Sequence, residues 1–178
     1  MRILPILFIL LSACSGNSLD SQAQYLDLIN TPQVLQMDSR IENFANLYND
    51  LDHINVQAAT EKTYADTFFF NDTLVTIDNR KELIAYLEQT QQEVEVMSLE
   101  VVNVLEKGQD IFVHWKMHTQ FSILGKRSKV DSLGISHLRF DDQGKIILHQ
   151  DYWDSTNGLF QHIPIIGGLI LWVKNRLH

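Results

Sequence analysis

The stretch DIFVHWKMHTQFSILG, residues 110–125, alternates between apolar and polar side chains. Because neighbouring side chains of a β-strand point to opposite faces of a sheet, this period of two predicts a strand with two different faces. One face is mainly apolar and carries Ile111, Val113, Trp115, Met117, Thr119 and Phe121. The other face carries Phe112, His114, Lys116, His118 and Gln120.

Three further segments around this strand also have strand character. EVEVMSLEVVNVLEKG (93–108) precedes it, and SKVDSLGISHLRF (128–140) and KIILHQDYWD (145–154) follow it. The segments are separated by short turn signals, which are Lys107-Gly108, Gly125-Lys126 and Asp142-Gln143-Gly144. Such spacing is typical of antiparallel hairpins.

Helical patterns come before the strands. Asp38 or Ser39 is a suitable N-cap for the first helix. Its apolar side is formed by Ile41, Phe44, Leu47, Tyr48 and Leu51. A second helix is predicted over residues 54–65 and a third over NRKELIAYLEQTQQ (79–92). This order predicts an α+β fold, in which three N-terminal helices cover a curved antiparallel sheet that closes into a cone. The mouth of such a cone is a natural pocket for a small ligand.

The composition excludes several classes of function. The 178 residues carry a net charge of −8 with a pI of about 5.2. An acidic domain without a basic stripe argues against nucleic acid as a partner and against loose electrostatic docking on anionic lipid. There is no Gly-rich phosphate loop, serine elbow or nucleotide fingerprint, so no cofactor is expected.

The N-terminus, MRILPILFILLSAC (1–14), has the layout of a signal peptide over residues 1–13. Its apolar run is too short to span a bilayer. LSAC resembles the lipobox of bacterial lipoproteins, and Cys14 is the only cysteine of the chain. That resemblance implies a lipid on Cys14 and a periplasm-facing protein of the bacterial cell envelope, at the outer membrane. The alternative is an ordinary signal peptide with an incidental cysteine.

Cys14 and the segment that follows it, residues 14–37, are interpreted as a lipidated residue and a tether, because SGNSLDSQAQ is small and polar. Residues 38–158 form the predicted domain. The remaining residues, 159–178, form an apolar tail interrupted by Pro164 and a glycine pair. The tail is either a helix from Gly168 onward that closes the cone or packs on the sheet, or an interfacial segment with Trp172 at the lipid headgroups.

Three of these segments together resemble a known family. YADTFFFND (64–72), NRKELIAYL (79–87) and GKIILHQDYWD (144–154) are similar to the SnoaL-like branch of the nuclear transport factor 2-like superfamily. Within that branch they resemble limonene epoxide hydrolase over about residues 41–154. Because this superfold carries hydrolases, isomerases, cyclases and binding modules, the resemblance implies the fold more firmly than the function.

The resemblance also implies site residues. Asp151 corresponds to a catalytic aspartate of the hydrolase and Asn71 to its water-binding asparagine. Lys116 and His118 stand where the hydrolase has an arginine and a second aspartate, and Phe69 stands where it has a tyrosine. These departures put epoxide hydrolysis in doubt. They leave open isomerase-type or hydrolase-type acid/base chemistry, or a non-catalytic module for binding a ligand or lipid or for envelope assembly.

Strand alternation places His149, Asp151 and Trp153 on one face. If the register of the family holds, Lys116 and His118 share that face, with Asp151 as the base and the two cations as acid or oxyanion stabiliser. Phe69, Trp153 and Tyr64 would form an aromatic wall for a small apolar ligand. On periodicity alone, the opposite face of residues 110–125 enters the core, and Lys116 and His118 are solvated.

Two further expectations concern metals and assembly. His114 and His118 are four residues apart on a strand, about 13 Å, which is too far to share one ion. No metal site is therefore predicted. An apolar outer sheet face would suit contact with a second subunit, so the resemblance implies a homodimer.

Overall fold

The structure, a computed structural model, describes residues 21–29, 37–49, 51–123 and 125–177. The chain divides into two compact units, residues 1–33 and residues 34–178. In the first unit the described residues form one helix, α1 (Ser21–Ile29), within the segment predicted as a tether. The predicted signal peptide and the lipidation site at Cys14 lie outside the described residues.

The alternating segments of the second unit form one curved sheet that does not close. Its strands are β1 (Tyr64–Asn71), β2 (Thr76–Asn79), β3 (Val94–Lys107), β4 (Asp110–Ile123), β5 (Lys126–Phe140) and β6 (Ile146–Trp153). They lie in the order β2-β1-β6-β5-β4-β3. Neighbouring strands are antiparallel, as predicted, except that β1 and β6 are parallel.

Three helices cover one face of this sheet, as predicted. They are α2 (Ser39–Tyr48), α3 (Val56–Thr63) and α4 (Arg80–Glu93). Each begins at a side-chain cap, because the oxygens of Asp38, Asn55 and Asn79 accept hydrogen bonds from backbone N–H groups of the first turn. These caps account for the positions at which the helices begin.

The core lies between the helices and the sheet. Phe44, Leu47, Leu83 and Leu87 contribute from the helices, and Phe70, Ile111, Val113, Trp115, Leu138 and Ile146 contribute from the strands. The apolar face of β4 is therefore the buried one. Burial of each of its large side chains stabilises the fold by roughly 1.5–3 kcal/mol, which is enough to determine which way the strand faces.

The C-terminal segment folds back over the end of the sheet. It contains α5 (Ser155–Gly158), a 3-10 helix (Phe160–His162) and α6 (Ile166–Lys174). Gly158 lies against the ring of Trp153, and His162 meets Phe121 edge-on with ring centroids 6.1 Å apart. The predicted tail is thus helical, starting two residues before Gly168. Among the described residues, no helix has the length and apolar character needed to cross a membrane.

Candidate functional site

The inner face of the sheet, which faces the helices, carries a column of polar groups. In the sheet register Asp151 of β6 lies opposite Ser136 of β5, and Ser136 lies opposite Val113 of β4. Residues paired across an antiparallel sheet share a face. Asp151 therefore points to the same side as buried Val113, towards the core.

One oxygen of Asp151 is held by two donors. Its Oδ1 accepts from the Ser136 hydroxyl at 2.5 Å and lies 2.7 Å from Nε2 of His149. Trp115 Nε1 lies 2.9 Å from the same hydroxyl. Because an indole N–H can only donate, Ser136 accepts from Trp115 and is left to donate its own proton to Asp151.

A second chain of hydrogen bonds reaches Asp151 through His149. The His149 side chain is 1% exposed, and its Nδ1 lies 2.6 Å from the Tyr64 hydroxyl. The Tyr64 hydroxyl lies 2.9 Å from that of Tyr48. In the tautomer with the proton on Nε2, His149 donates to Asp151, its Nδ1 accepts from Tyr64, and Tyr64 accepts from Tyr48. Every donor of the network then points towards Oδ1 of Asp151.

The two tyrosines are well suited to remain donors. Burial raises the pKa of Tyr48 and Tyr64 well above the ordinary value of tyrosine, and the negative charge of Asp151 acts in the same direction. Both therefore keep their protons at neutral pH. Phe44 and Phe70 pack edge-on against the His149 ring, with centroids 5.5 and 4.9 Å away, and fix its orientation.

The other oxygen of Asp151 is free. Among the described residues, no protein donor binds Oδ2. This oxygen is not fully buried. The Asp151 side chain is 14% exposed. Oδ1 is therefore occupied, and Oδ2 is left without a hydrogen-bond partner among the described residues.

Two tryptophans lie on the same face of the sheet, two residues along their strands from Val113 and Asp151. Trp115 and Trp153 lie opposite Gly134 on its two neighbouring strands. A Cβ on Gly134 would lie 2.3 Å from the Trp115 ring, so a larger residue would displace the indole that orients Ser136. Trp153 Nε1 donates to the backbone carbonyl of Asp72 at 2.7 Å, which holds its ring in place.

The placement of Lys116 and His118 differs from the expectation based on the family register. Lys116 is paired with Leu133 and His118 with Asp131, on the face opposite that of Asp151. His118 Nδ1 lies 2.9 Å from Oδ1 of Asp131 on that outer face. The expectation that these two cations face Asp151 is wrong, because burial of Val113 and Trp115 turns them outward. The alternative based on periodicity alone describes β4 correctly.

Asn71 and Phe69 also lie on the outer face. In the parallel pair of β1 and β6, Asn71 lies beside Gln150, and its Oδ1 accepts from Gln150 Nε2 at 2.9 Å. Phe69 is 44% exposed, whereas its neighbour Phe70 is buried against His149. The expectation that Asn71 and Phe69 line a site with Asp151 is therefore wrong. Of the eight predicted catalytic and ligand-binding residues, the inner face carries Asp151, His149, Trp153 and Tyr64.

Three residues of the network, Ser136, Trp115 and Tyr48, were missed in the sequence. On the buried face of its strand Ser136 is one of three serines, with Ser128 and Ser132, and nothing in the sequence sets it apart. The apolar pattern predicts Trp115 and Tyr48 only as core residues. Each also carries a polar hydrogen, which needs a hydrogen-bond partner when it is buried. Among the described residues, no group of three or more His, Cys, Asp or Glu is placed to hold a metal ion.

The outer face exposes several apolar side chains. Ile135 and Tyr152 are exposed, and they line a shallow depression together with Leu133, Gly134, Trp153, His114 and Asp154. The predicted homodimer contact would lie on this face and stays a prediction. A second depression does not include Asp151 and is lined by Gln57, Glu61, Asp66, Asn79, Arg80, Lys81 and Ile84.

Solved structures with the same fold support the resemblance seen in the sequence. A proposed SnoaL-like polyketide cyclase from Shewanella denitrificans is 15% identical, with a TM-score of 0.58 over 68% of this chain and 94% of that one. A protein from Catenulispora acidiphila with a ketosteroid isomerase-like fold, in complex with trimethylamine, is 13% identical, with a TM-score of 0.59 over 70% and 92%. A LEH-like epoxide hydrolase from M. tuberculosis is 17% identical, with a TM-score of 0.55 over 76% and 93%.

At these identities the likeness concerns the fold, which is that of the SnoaL-like branch of the nuclear transport factor 2-like superfamily. No curated protein sequence matches the chain at a significant level. The model of one family, described as "Uncharacterized conserved protein (DUF2358)", matches residues 42–149. Because that match spans more than half of the 178 residues, the chain belongs to this family.

Proposed function

We propose that the domain binds a small, largely apolar carbonyl compound beside Trp153 and moves a proton on it, with Oδ2 of Asp151 as the base. The observation that carries this proposal is the asymmetry of the Asp151 carboxylate. Among the described residues, Ser136 and His149 fix Oδ1, Oδ2 has no hydrogen-bond partner, and the Asp151 side chain is 14% exposed. A carboxylate held at one oxygen is positioned to accept a proton at the other.

The reaction class that fits one such base is isomerisation. A C–H bond next to the carbonyl group breaks, an O–H bond forms on Oδ2, and the electron pair passes into the carbonyl group to give an enolate. Return of the proton from Oδ2 to another carbon completes the shift, so neither water nor an oxidant is consumed. The His149–Tyr64–Tyr48 chain holds Oδ1 throughout and keeps the carboxyl group in one orientation.

Hydrolysis is less well supported by the same geometry. Activation of water by two acids requires a second carboxyl group or cation beside the first. The residues expected in those positions, Lys116 and His118, lie on the outer face. Among the described residues, the hydrogen-bond partners of the Asp151 carboxylate are a hydroxyl and an imidazole, with no second carboxyl group.

A rival function from another class is a non-catalytic binding or envelope assembly module. The observation that favours it is the dense aromatic packing around His149, with Phe44, Tyr48, Tyr64 and Phe70 against its ring. On that alternative the polar network only stabilises the core, and Asp151 acts on no ligand.

Ligand binding beside Trp153 can be tested by native mass spectrometry with a library of small apolar carbonyl compounds. Replacing Trp153 by Ala should weaken binding of any compound found by at least about tenfold, because a large aromatic contact is lost. The matched control is Trp172→Ala, which removes an exposed tryptophan of α6. Equal affinities in the two variants, or no bound compound in the wild type, would favour the non-catalytic module.

We also propose that the chain is attached to the bacterial envelope through a lipid on Cys14. The support is the LSAC sequence and the absence of any other cysteine from the chain. Radiolabelled palmitate should enter the wild-type protein in bacterial cells and should not enter Cys14→Ser. Equal labelling of both proteins would show that the lipid is attached elsewhere.

A further inference from the structure

Helix α6 carries its apolar side chains on the outside of the protein. In the helix, the exposed fraction lies between 43% and 61% for Ile166, Leu169, Leu171, Trp172 and Val173, and the flanking residues Ile165 and Leu177 are 91% and 78% exposed. A surface helix of a water-soluble domain normally turns its polar side outward. Contiguous exposed apolar patches mark contact with a membrane or another molecule.

The side of α6 that faces the protein is built from different residues. Gly167 is buried, and a Cβ there would lie 2.0 Å from the backbone oxygen of Gln161. Lys174 Nζ donates to the side chain of Asn157 at 2.7 Å. Positions 167 and 174 are seven residues apart and therefore lie on one side of a helix. Because this side is fixed to the preceding segment, the apolar side is held outward.

The turn before α6 adds to this arrangement. Ile165 has a φ of 73°, a left-handed conformation that is rare for a β-branched residue. Its side chain is the most exposed of the large apolar residues of the segment, at 91%. The chain thus adopts an unfavourable backbone conformation at the point where it presents an isoleucine to the surroundings.

The charge of the segment differs from that of the whole chain. The net charge of the protein is −8, yet the last acidic residue is Asp154. The residues after it include two basic side chains, Lys174 and Arg176, and no acidic one. The Arg176 guanidinium lies 4.2 Å from the centre of the Trp172 ring. An apolar helix ending in basic residues and a tryptophan matches the acyl and phosphate layers of a lipid surface.

We propose that α6 lies flat in the interface of a phospholipid bilayer. Its apolar side enters the acyl region, and Arg176, beside Trp172, contacts the lipid phosphates. A helix of nine residues is about 13 Å long, too short to cross a bilayer. A groove in a partner protein would bury a narrow stripe of the helix, whereas the exposed apolar residues of α6 spread around much of its circumference.

This inference is independent of the proposed chemistry at Asp151 and of lipid attachment at Cys14. Insertion of apolar side chains also differs from loose electrostatic docking on anionic lipid, which the acidic composition of the chain argues against. The apolar side chains supply most of the interaction, so binding should persist at high salt.

The test measures the contact of Trp172 itself with lipid. The full chain is mixed with vesicles of phosphatidylcholine and phosphatidylglycerol whose acyl chains carry bromine, a quencher of tryptophan emission. Subtracting the emission of Trp172→Phe isolates the signal of Trp172 from those of Trp115 and Trp153. We expect bromolipid to quench this signal. We also expect Leu169→Asp to weaken the partitioning of α6 at least about tenfold.

The matched control is Leu105→Asp, which alters an exposed leucine of β3 and should leave the quenching unchanged. Three results would overturn the proposal. The first is the absence of Trp172 quenching, and the second is quenching that Leu169→Asp does not reduce. The third is a blue shift of Trp172 that depends on protein concentration without vesicles, which would assign the surface to a second copy of the chain.

Discussion

Replacement of His149 by Ala is expected to lower the free energy of unfolding by about 3–5 kcal/mol. The imidazole is 1% exposed and packs against Phe44 and Phe70, so its loss leaves a cavity in the core. The Tyr64 hydroxyl also loses its acceptor, and Asp151 loses one donor. Urea denaturation followed by circular dichroism measures the difference.

The control for this prediction is the same substitution on the opposite face of the sheet. His118 is paired with Asp131 where both side chains are well exposed. Such pairs contribute little, so His118→Ala should cost less than about 1 kcal/mol. Comparable losses in the two variants would contradict the assignment of His149 to the inner network.

The second large effect is expected in Asp151→Asn, which should slow the turnover of any substrate at least about 100-fold. That factor corresponds to about 3 kcal/mol in the reaction barrier. The amide cannot accept a proton as a carboxylate does. Its oxygen can still accept hydrogen bonds from Ser136 and His149, so the fold should be retained and the affinity for substrate largely unchanged.

Asp131→Asn is the matched control for this effect. It makes the same change from carboxylate to amide on the outer face, beside His118. Steady-state kcat and KM should then equal those of the wild type. A loss of kcat in Asp131→Asn as large as that in Asp151→Asn would mean that the reaction does not depend on the inner carboxylate.

Much of the fold could be predicted because local patterns and burial agree. Asp38 precedes an amphipathic helix as its cap, and the alternation in residues 110–125 gives a strand with a buried apolar face. The parallel pairing of β1 with β6 was not predicted. It joins segments that are far apart in sequence, and no local period contains that information.

The site was predicted only in part, for a physical reason. Alternation shows that His149 and Asp151 share one face and that Lys116 and His118 share one face, but it does not show how two strands are aligned. The family register placed all four together. Burial of Trp115 decides instead which face of β4 turns to the core. A lysine in the core would have to lose its hydration without a partner.

Periodicity does not reveal the polar groups of aromatic side chains. Trp115 and Tyr64 are apolar by the measure that predicts strands and helices, yet their N–H and O–H groups orient the inner network. Their roles follow from the requirement that buried polar hydrogens be paired. Residue spacing alone does not reveal which partner each one meets.

The central claim is that Oδ2 of Asp151, on the inner face, takes a proton from the bound ligand. The most direct measurement is deuterium exchange into a bound carbonyl compound in D2O, followed by NMR. We expect exchange in the wild type and in the double variant Lys116→Ala/His118→Ala, and none above the buffer rate in Asp151→Asn. Exchange at the wild-type rate in Asp151→Asn, or its loss in the outer-face double variant, would contradict the account.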